Sequence, residues 1–409
     1  MDLQIDDFYK DAAGGLLMLY QAFPRKVSLY VEDLIGREEP DEFGLPSKRH
    51  QSCLGALLWL AEEGYLRYES TIHFQALDQA VLTEKGFVRL SRAVPGQIAD
   101  DLSLPPSVLR IQASLAHQLR EALKRGLAIE ARTGVNPYKF GVIGSTDSHT
   151  GLATGDENNF YGKHSGGEPN ANRASQAQNL GTRQGRIGWH YLAGGYAAVW
   201  ATANTRAAIF DAMMRREVYA TTGPRMTVRF FGGWGFNEAD FAGDWVKTGY
   251  AKGVPMGADL KPGNGAPKFM ISALKDPMGA NLDRVQVVKG WVDSSGKLQE
   301  KVFDVVWGDA DKRRKGANGK VPKIGDTVNI AKASYTNSIG DPELRTVWTD
   351  PEFNRNVRAF YYVRVIEIPT PRWVLFDALR YGTKLLPGTE LKARERAYSS
   401  PIWYNPKKS

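Results

Sequence analysis

The strand-like segments that follow residue 218 constrain the fold more than any other feature. Residues 218–231 read as extended, and residues 269–274, 285–292, 302–307 and 327–330 are strand candidates. In residues 359–366, Ala-Phe-Tyr-Tyr-Val-Arg-Val-Ile, the β-branched and aromatic side chains suit a pleated, half-buried surface. Gly- and Asp-rich turns separate these segments, as in a β-sandwich. Before residue 218 helical periodicity dominates. Helices first and strands afterwards predict an α+β, multidomain chain. A length of 409 residues allows two or three cores.

The first ninety residues have their own pattern. Residues 8–22 read as a helix with Leu16, Leu17, Leu19 and Tyr20 on one side, and residues 27–35 as a second, short helix. An acidic loop over 37–45 follows. Ser47 stands at an N-cap position ahead of an apolar helix that runs through Leu60 to Glu63 and stops at Gly64. Residues 66–69 and 76–82 suggest strands, followed by Leu82-Thr83-Glu84-Lys85-Gly86. Helices followed by a small hairpin resemble a winged-helix domain, here residues 1–92. In a DNA-binding reading Lys48, Arg49, Gln51 and Ser52 would open the recognition helix.

Charge argues against that reading. Residues 1–110 hold 11 Lys/Arg against 17 Asp/Glu, while the remainder holds 42 against 28, within an overall net charge of +8. Duplex binders draw most of their affinity from neutralising phosphates. A net-acidic module fits contact with a protein partner and not with nucleic acid, and the charge split itself points to two regions of different role. The single Cys53 lies in the apolar stretch Cys53-Leu54-Gly55-Ala56-Leu57-Leu58 and reads as a buried structural thiol. No run is long and apolar enough to span a bilayer, and the acidic start lacks a secretory signal, so the chain reads as cytoplasmic with no membrane partner.

Residues 93–112, with Pro95, Gly96, Pro105 and Pro106, read as a linker. A helix over 107–133 follows the pattern Leu109, Ile111, Leu115, Leu119, Leu123 and Leu127. It leads to the apolar run Phe140-Gly141-Val142-Ile143 and then to Gly144-Ser145-Thr146-Asp147-Ser148-His149-Thr150. Alternate residues of an extended segment face the same way, so Asp147 and His149 are candidates to ligate one divalent metal: zinc, manganese or iron. The other reading is a strand-end turn in which Ser, Thr and Asp cap the backbone.

Residues 150–188 show little periodicity and suit a functional lid or a disordered segment. Their charged candidates are Asp156, Glu157, Lys163 and His164, whereas His190, between Trp189 and Tyr191, reads as a packed histidine. Asn204 is a candidate cap for a helix over 205–217. Thr222-Gly223-Pro224-Arg225 either offers backbone N–H groups and a guanidinium to an anion or turns between strands. Lys312-Arg313-Arg314-Lys315 reads as a solvated turn, because no aromatic residues interleave it.

Several of these segments carry a resemblance. They are Gly134-Val135-Asn136-Pro137-Tyr138-Lys139-Phe140-Gly141, the Asp147–His149 motif, Asn158-Asn159-Phe160-Tyr161-Gly162-Lys163-His164, Tyr219-Ala220-Thr221-Thr222-Gly223-Pro224-Arg225, Ile366-Glu367-Ile368-Pro369-Thr370-Pro371-Arg372-Trp373 and Glu395-Arg396-Ala397-Tyr398. Together they resemble a bacterial family known as domain of unknown function 3604, which looks like a branch of the polymerase-and-histidinol-phosphatase (PHP) metallohydrolases. The likeness runs from about residue 113 to the C-terminus. It implies a partial PHP-like α/β barrel segment over 113–232, ahead of a β-rich, sandwich-like region over 233–409. The PHP pattern opens with His-x-His. The six histidines here, His50, His73, His117, His149, His164 and His190, contain no such pair.

The resemblance implies a metal-dependent hydrolase of the ester or phosphoester class, incomplete for want of that opening motif. Asp147 and His149 would hold the metal, while Arg225, Lys163 and His164 would orient a small-molecule substrate or stabilise its negative charge. The alternative is a winged-helix interaction or transcriptional-regulatory protein carrying a catalytically dead PHP remnant.

Overall fold

The computed structural model describes residues 5–38, 46–91, 106–145, 147–152, 154–178 and 186–406. The chain divides into two compact units, Met1–Ile98 with Asn179–Gly185, and Ala99–Gln178 with Arg186–Ser409. Helices and antiparallel sheets make it an α+β protein. Residues 93–105, within the expected linker, and the acidic residues 39–42 lie outside the described residues.

The first unit runs α1 (Ile5–Ala22), β1 (Val27–Tyr30), α2 (Glu32–Ile35), α3 (Lys48–Glu62), β2 (Leu66–Arg67), β3 (Ser70–Ile72), β4 (Ala76–Leu82) and α4 (Glu84–Ser91). Strand β4 is central and pairs antiparallel with β1, β2 and β3. The helix expected over 27–35 is therefore a strand followed by a single helical turn. Tertiary pairing decides this: Leu29 sits opposite Leu77 and is fully buried. The Ser47 hydroxyl accepts the His50 N–H at 3.0 Å and caps α3 as the sequence predicts. Leu19, Leu29, Leu57, Leu60, Leu77 and Cys53 share one core. Burial pushes the Cys53 thiol up to about 12, so it is a packing group and not a nucleophile.

The second unit begins with α5 (Pro106–Thr133). There follow β5 (Ala177–Gln178), β6 (Arg186–Ile187), β7 (Tyr196–Val199), α6 (Arg206–Met214), β8 (Val218–Thr221), β9 (Thr227–Gly233), α7 (Trp245–Lys252), β10 (Gly253–Pro255), β11 (Asp259–Leu260) and β12 (Lys268–Leu274). The long strands β13 (Leu282–Val292), β14 (Leu298–Trp307), β15 (Glu343–Thr349) and β16 (Ala359–Glu367) come next. The chain closes with β17 (Thr370–Pro371), α8 (Trp373–Tyr381), β18 (Lys392–Ala393), β19 (Arg396–Ser399) and β20 (Ile402–Tyr404).

One sheet has the order β10-β9-β12-β15. A larger one runs β11-β20-β16-β19-β8-β7, with β13 joining β16 to β14. Their facing residues meet in one core, where Val228, Phe230 and Ile271 from the smaller sheet pack with Val285, Tyr361 and Val363 from the larger. Leu123 and Leu127 of α5 pack on Val288, Phe360, Tyr362 and Trp403, which gives the larger sheet a second layer.

Several local expectations change. The described strands close into no barrel. Residues 140–143 join no sheet; the Val142 N–H goes instead to the Ser400 hydroxyl at 2.9 Å. Residues 327–330 form no strand, because the Asn329 side chain caps a short 3₁₀ turn, Ile330–Lys332. Thr205, not Asn204, caps α6, and that helix ends at Met214. Arg313, expected in a solvated turn, is buried and donates to the Asp283 carboxylate at 2.7 Å. Among the described residues no helix is long and apolar enough to cross a membrane.

Candidate functional site

Gly144 fixes the start of the site. A Cβ there would meet the carbonyl oxygens of Thr221 and Tyr196 at 2.5 Å each, so only glycine lets the chain pass so close to β7 and β8. The Gly195 N–H then reaches the Ser145 carbonyl at 3.2 Å. Asp147 adopts a left-handed conformation with φ of +46°. Asp147 and His149 therefore meet through a turn and not through strand alternation. Asp147 Oδ1 lies 3.3 Å from His149 Nε2.

Lys163 and His164 join this pair. The Lys163 ammonium pairs with Asp147 Oδ2, and the His149 N–H donates to the Lys163 carbonyl at 2.7 Å. The His149 and His164 rings stack with centroids 4.5 Å apart and planes 13° from parallel. Hydrogen bonding to Lys163, then its charge, holds the Asp147 carboxyl below its usual range. Burial, and then His149, holds the His164 imidazole below its usual value. Arg225 is not part of this group. It is exposed, its backbone N–H donates to Asp276 at 2.7 Å, and its guanidinium lies 5.5 Å from the centre of the Tyr196 ring.

A cavity of about 330 Å³ opens beside Gly144 and Ser145. Thr222, after β8, Arg372, ahead of α8, and Glu395, ahead of β19, also line it, as does Glu157. Four carboxyl groups line it, those of Glu157, Asp326, Glu390 and Glu395, and the pKa values of Glu157 and Glu395 are raised. The Trp373 N–H, in the first turn of α8, donates to Glu157 Oε2 at 2.5 Å, and the Ala193 N–H donates to the same carboxylate. Glu395, 7% exposed, accepts the Thr222 hydroxyl. Burial, and then the neighbouring Glu157, pushes Glu395 up to about 8; burial also raises Glu157. Both carboxyls resist ionisation, but backbone donors at a helix N-terminus favour the charged form of Glu157.

Arg372 ties the elements together. Its guanidinium is 1% exposed and donates to the carbonyls of Trp189 at 3.0 Å and Tyr191 at 2.7 Å. It also lies 3.5 Å from Glu390 Oε2. Two further lining cations are anchored too: Lys392 pairs with Asp326, and Arg394 pairs with the fully buried Asp283. Behind the cavity wall Glu367 is fully buried with neither carboxylate oxygen hydrogen-bonded, and burial raises its pKa well above the ordinary value.

Sequence reasoning brought Asp147, His149, Lys163 and His164 to one place but assigned no role to Glu395 or Arg372. It counted Glu157 only as a charge in a loop. A signal existed. Glu367 interrupts the apolar run Ile366-Glu367-Ile368, and Glu395 and Arg372 stand inside the segments that carry the family resemblance. As ligands, Asp147 and His149 offer two donors where a catalytic metal takes about three. Among the described residues no group of three or more His, Cys, Asp or Glu side chains is placed to hold a metal ion.

Residues 107–406 match the family described as protein of unknown function, DUF3604, and the chain belongs to that family. No curated protein and no solved structure matches it.

Proposed function

We propose that residues 107–406 form a hydrolase acting on an ester or phosphoester, a PHP-like enzyme with a reduced set of metal ligands. One observation carries the reading. Segments far apart in sequence, at Gly144–Ser145, Thr221–Thr222, Arg372 and Glu395–Arg396, converge on one cavity lined by the buried carboxyls of Glu390 and Glu395, the half-buried Glu157 and the buried Arg372 guanidinium. Perturbed ionisable groups gathered in a cavity are a feature of catalytic sites. Asp147 and His149 are the residues to hold a divalent metal, which would supply Lewis acidity when bound. They do not complete such a centre alone, because a catalytic metal takes about three protein ligands. Lys163 and His164 stand beside them to orient substrate.

Leu192 lines the cavity and is 39% exposed, so its replacement tests the reading without opening the core. Hydrolysis of a panel of chromogenic esters and phosphoesters, with and without added zinc or manganese, is the measurement. Leu192→Trp should slow hydrolysis at least tenfold at an unchanged melting temperature. Equal rates would place the activity elsewhere.

The first unit supports a second role, protein contact through a winged-helix-like module. The element order α1-β1-α2-α3-β2-β3-β4 with β4 central favours that fold, and Phe74, at the β3–β4 turn, is 72% exposed. Arg49, one of the two cations a DNA reading requires, is held by Asp11 through bonds of 2.5 and 2.7 Å. In the same spirit, the region from residue 233 onward reads as sandwich-like.

A further inference from the structure

We infer that Glu157 and Glu395 work as a general base and a general acid on the cavity, with one proton between them resting on Glu395, and that the bond they cleave is a carboxylic ester. The inference rests on the hydrolase reading and deepens it.

The asymmetry is geometric. Glu157 is held by two backbone N–H groups, one of them in the first turn of α8, and by the nearby Arg372. Those donors stabilise a carboxylate and offer a proton no acceptor. Glu395 is fixed on one oxygen by the Thr222 hydroxyl, leaving the other to carry a proton. The charged groups that face Glu395 are Glu157, Arg396 from β19 and Arg372. Glu395 in turn acts on Glu367 at the end of β16, together with Asp276 and Lys275. Burial pushes Glu395 up to about 8; burial raises Glu157 too, but the Trp373 and Ala193 N–H groups and Arg372 all act to favour its charged form, and Glu395 has fewer such donors. A pair whose environments separate an acid from a base is the arrangement acid–base catalysis uses.

The lining cations narrow the substrate. Of the four lining cations, Arg372, Lys392 and Arg394 are engaged with the carboxylates of Glu390, Asp326 and Asp283 respectively, and Arg396 faces Glu395. A phosphate dianion would have to displace those partners and approach the carboxyls of Glu157, Glu390 and Glu395 that line the same cavity. A neutral carboxylic ester meets neither obstacle. Glu157 takes a proton from water while the water oxygen bonds to the carbonyl carbon. Glu395 gives its proton to the alkoxide oxygen as the carbon–oxygen bond breaks. An acid and an alcohol leave, and passage of the proton from Glu157 to Glu395 restores the pair.

Two measurements on the full chain test this. In carbon-13 NMR of glutamate-labelled protein, one carboxyl should titrate near pH 8 and vanish in Glu395→Gln. In Glu157→Gln its midpoint should fall, because the neighbouring negative charge is gone. In kinetics, Glu395→Gln should slow an alkyl ester about 100-fold or more. It should slow a p-nitrophenyl ester much less, because that leaving group departs without a proton. Thr222→Val, which removes a donor to the charged form, should move the titration and the alkaline limb of the rate together to higher pH. This variant also serves if Glu395→Gln does not fold.

Absence of any carboxyl titrating above about pH 6, or equal slowing of both esters by Glu395→Gln, would overturn the assignment. Preference for phosphoesters would overturn the substrate class. A carboxyl that titrates near 8 with no turnover of any ester or phosphoester would instead remove the hydrolase reading and leave the proton-sharing pair standing.

Discussion

Asp147 and Glu395 are both carboxylic acids of the second unit, and their surroundings push them in opposite directions. Asp147 is 64% exposed at its side chain and paired with Lys163, which keeps it ionised. Glu395 is buried beside a second carboxylate, which keeps it protonated toward neutral pH. Water screens the first group, so its partners change its pKa but contribute little to stability. The second is shut away from water, where each missing or added partner matters. The exposed cluster is suited to meeting an ion or a substrate from solvent; Glu157 and Glu395, on the cavity, are suited to moving a proton.

The largest expected effect that tests this contrast is at Arg372. Arg372→Ala strips donors from the Trp189 and Tyr191 carbonyls and a positive charge from beside Glu157 and Glu390. It should destabilise the protein by about 3–5 kcal/mol, the range for breaking one side of a buried ion pair. Lys163→Ala, on the exposed side, should stay within about 0.5 kcal/mol. Denaturant unfolding measures both, and similar values for the two variants would erase the distinction between the clusters.

The next effect is a dependence on pH. Raising a carboxyl pKa in the folded state means that the folded protein binds more protons than the unfolded one. That contribution to stability is complete below the unfolded value near 4.5 and is lost as pH rises through about 8. Glu395→Gln removes the titration. Its stability relative to the parent should therefore improve between pH 5 and 9, by on the order of 3 kcal/mol. Asp147→Asn should show the opposite sign and a small amplitude, since a lowered pKa contributes above the unfolded value and disappears in acid. Melting curves at several pH values test both signs, and a flat profile for the Glu395→Gln difference would contradict the buried pair.

The smallest effect concerns metal. Asp147→Ala and His149→Ala should each lower the content of bound zinc or manganese in purified protein without changing the melting temperature of the metal-free form by more than about 2 °C. Equal metal content in the parent and both variants would leave the exposed cluster with substrate orientation alone.

Patterns of neighbouring residues carried much of this protein. The Leu periodicity of α5, the Ser47 cap, and the apolar composition of β12, β13, β14 and β16 are local, and a local rule reads them. The grouping of Asp147 with His149 was also local, being two residues apart, although a left-handed turn produced it. What the sequence withheld was every feature made by distant partners. Val27–Tyr30 became a strand because β4 offered Leu77 opposite Leu29. Residues 140–143 stayed outside the sheets because Ser400 took the Val142 N–H. Glu157 and Glu395 stand 238 positions apart in the numbering, and Glu395 owes its raised pKa first to the water that packing removed and then to Glu157. A side chain's type and spacing are written in the chain, but its solvation is decided only when the tertiary structure closes around it.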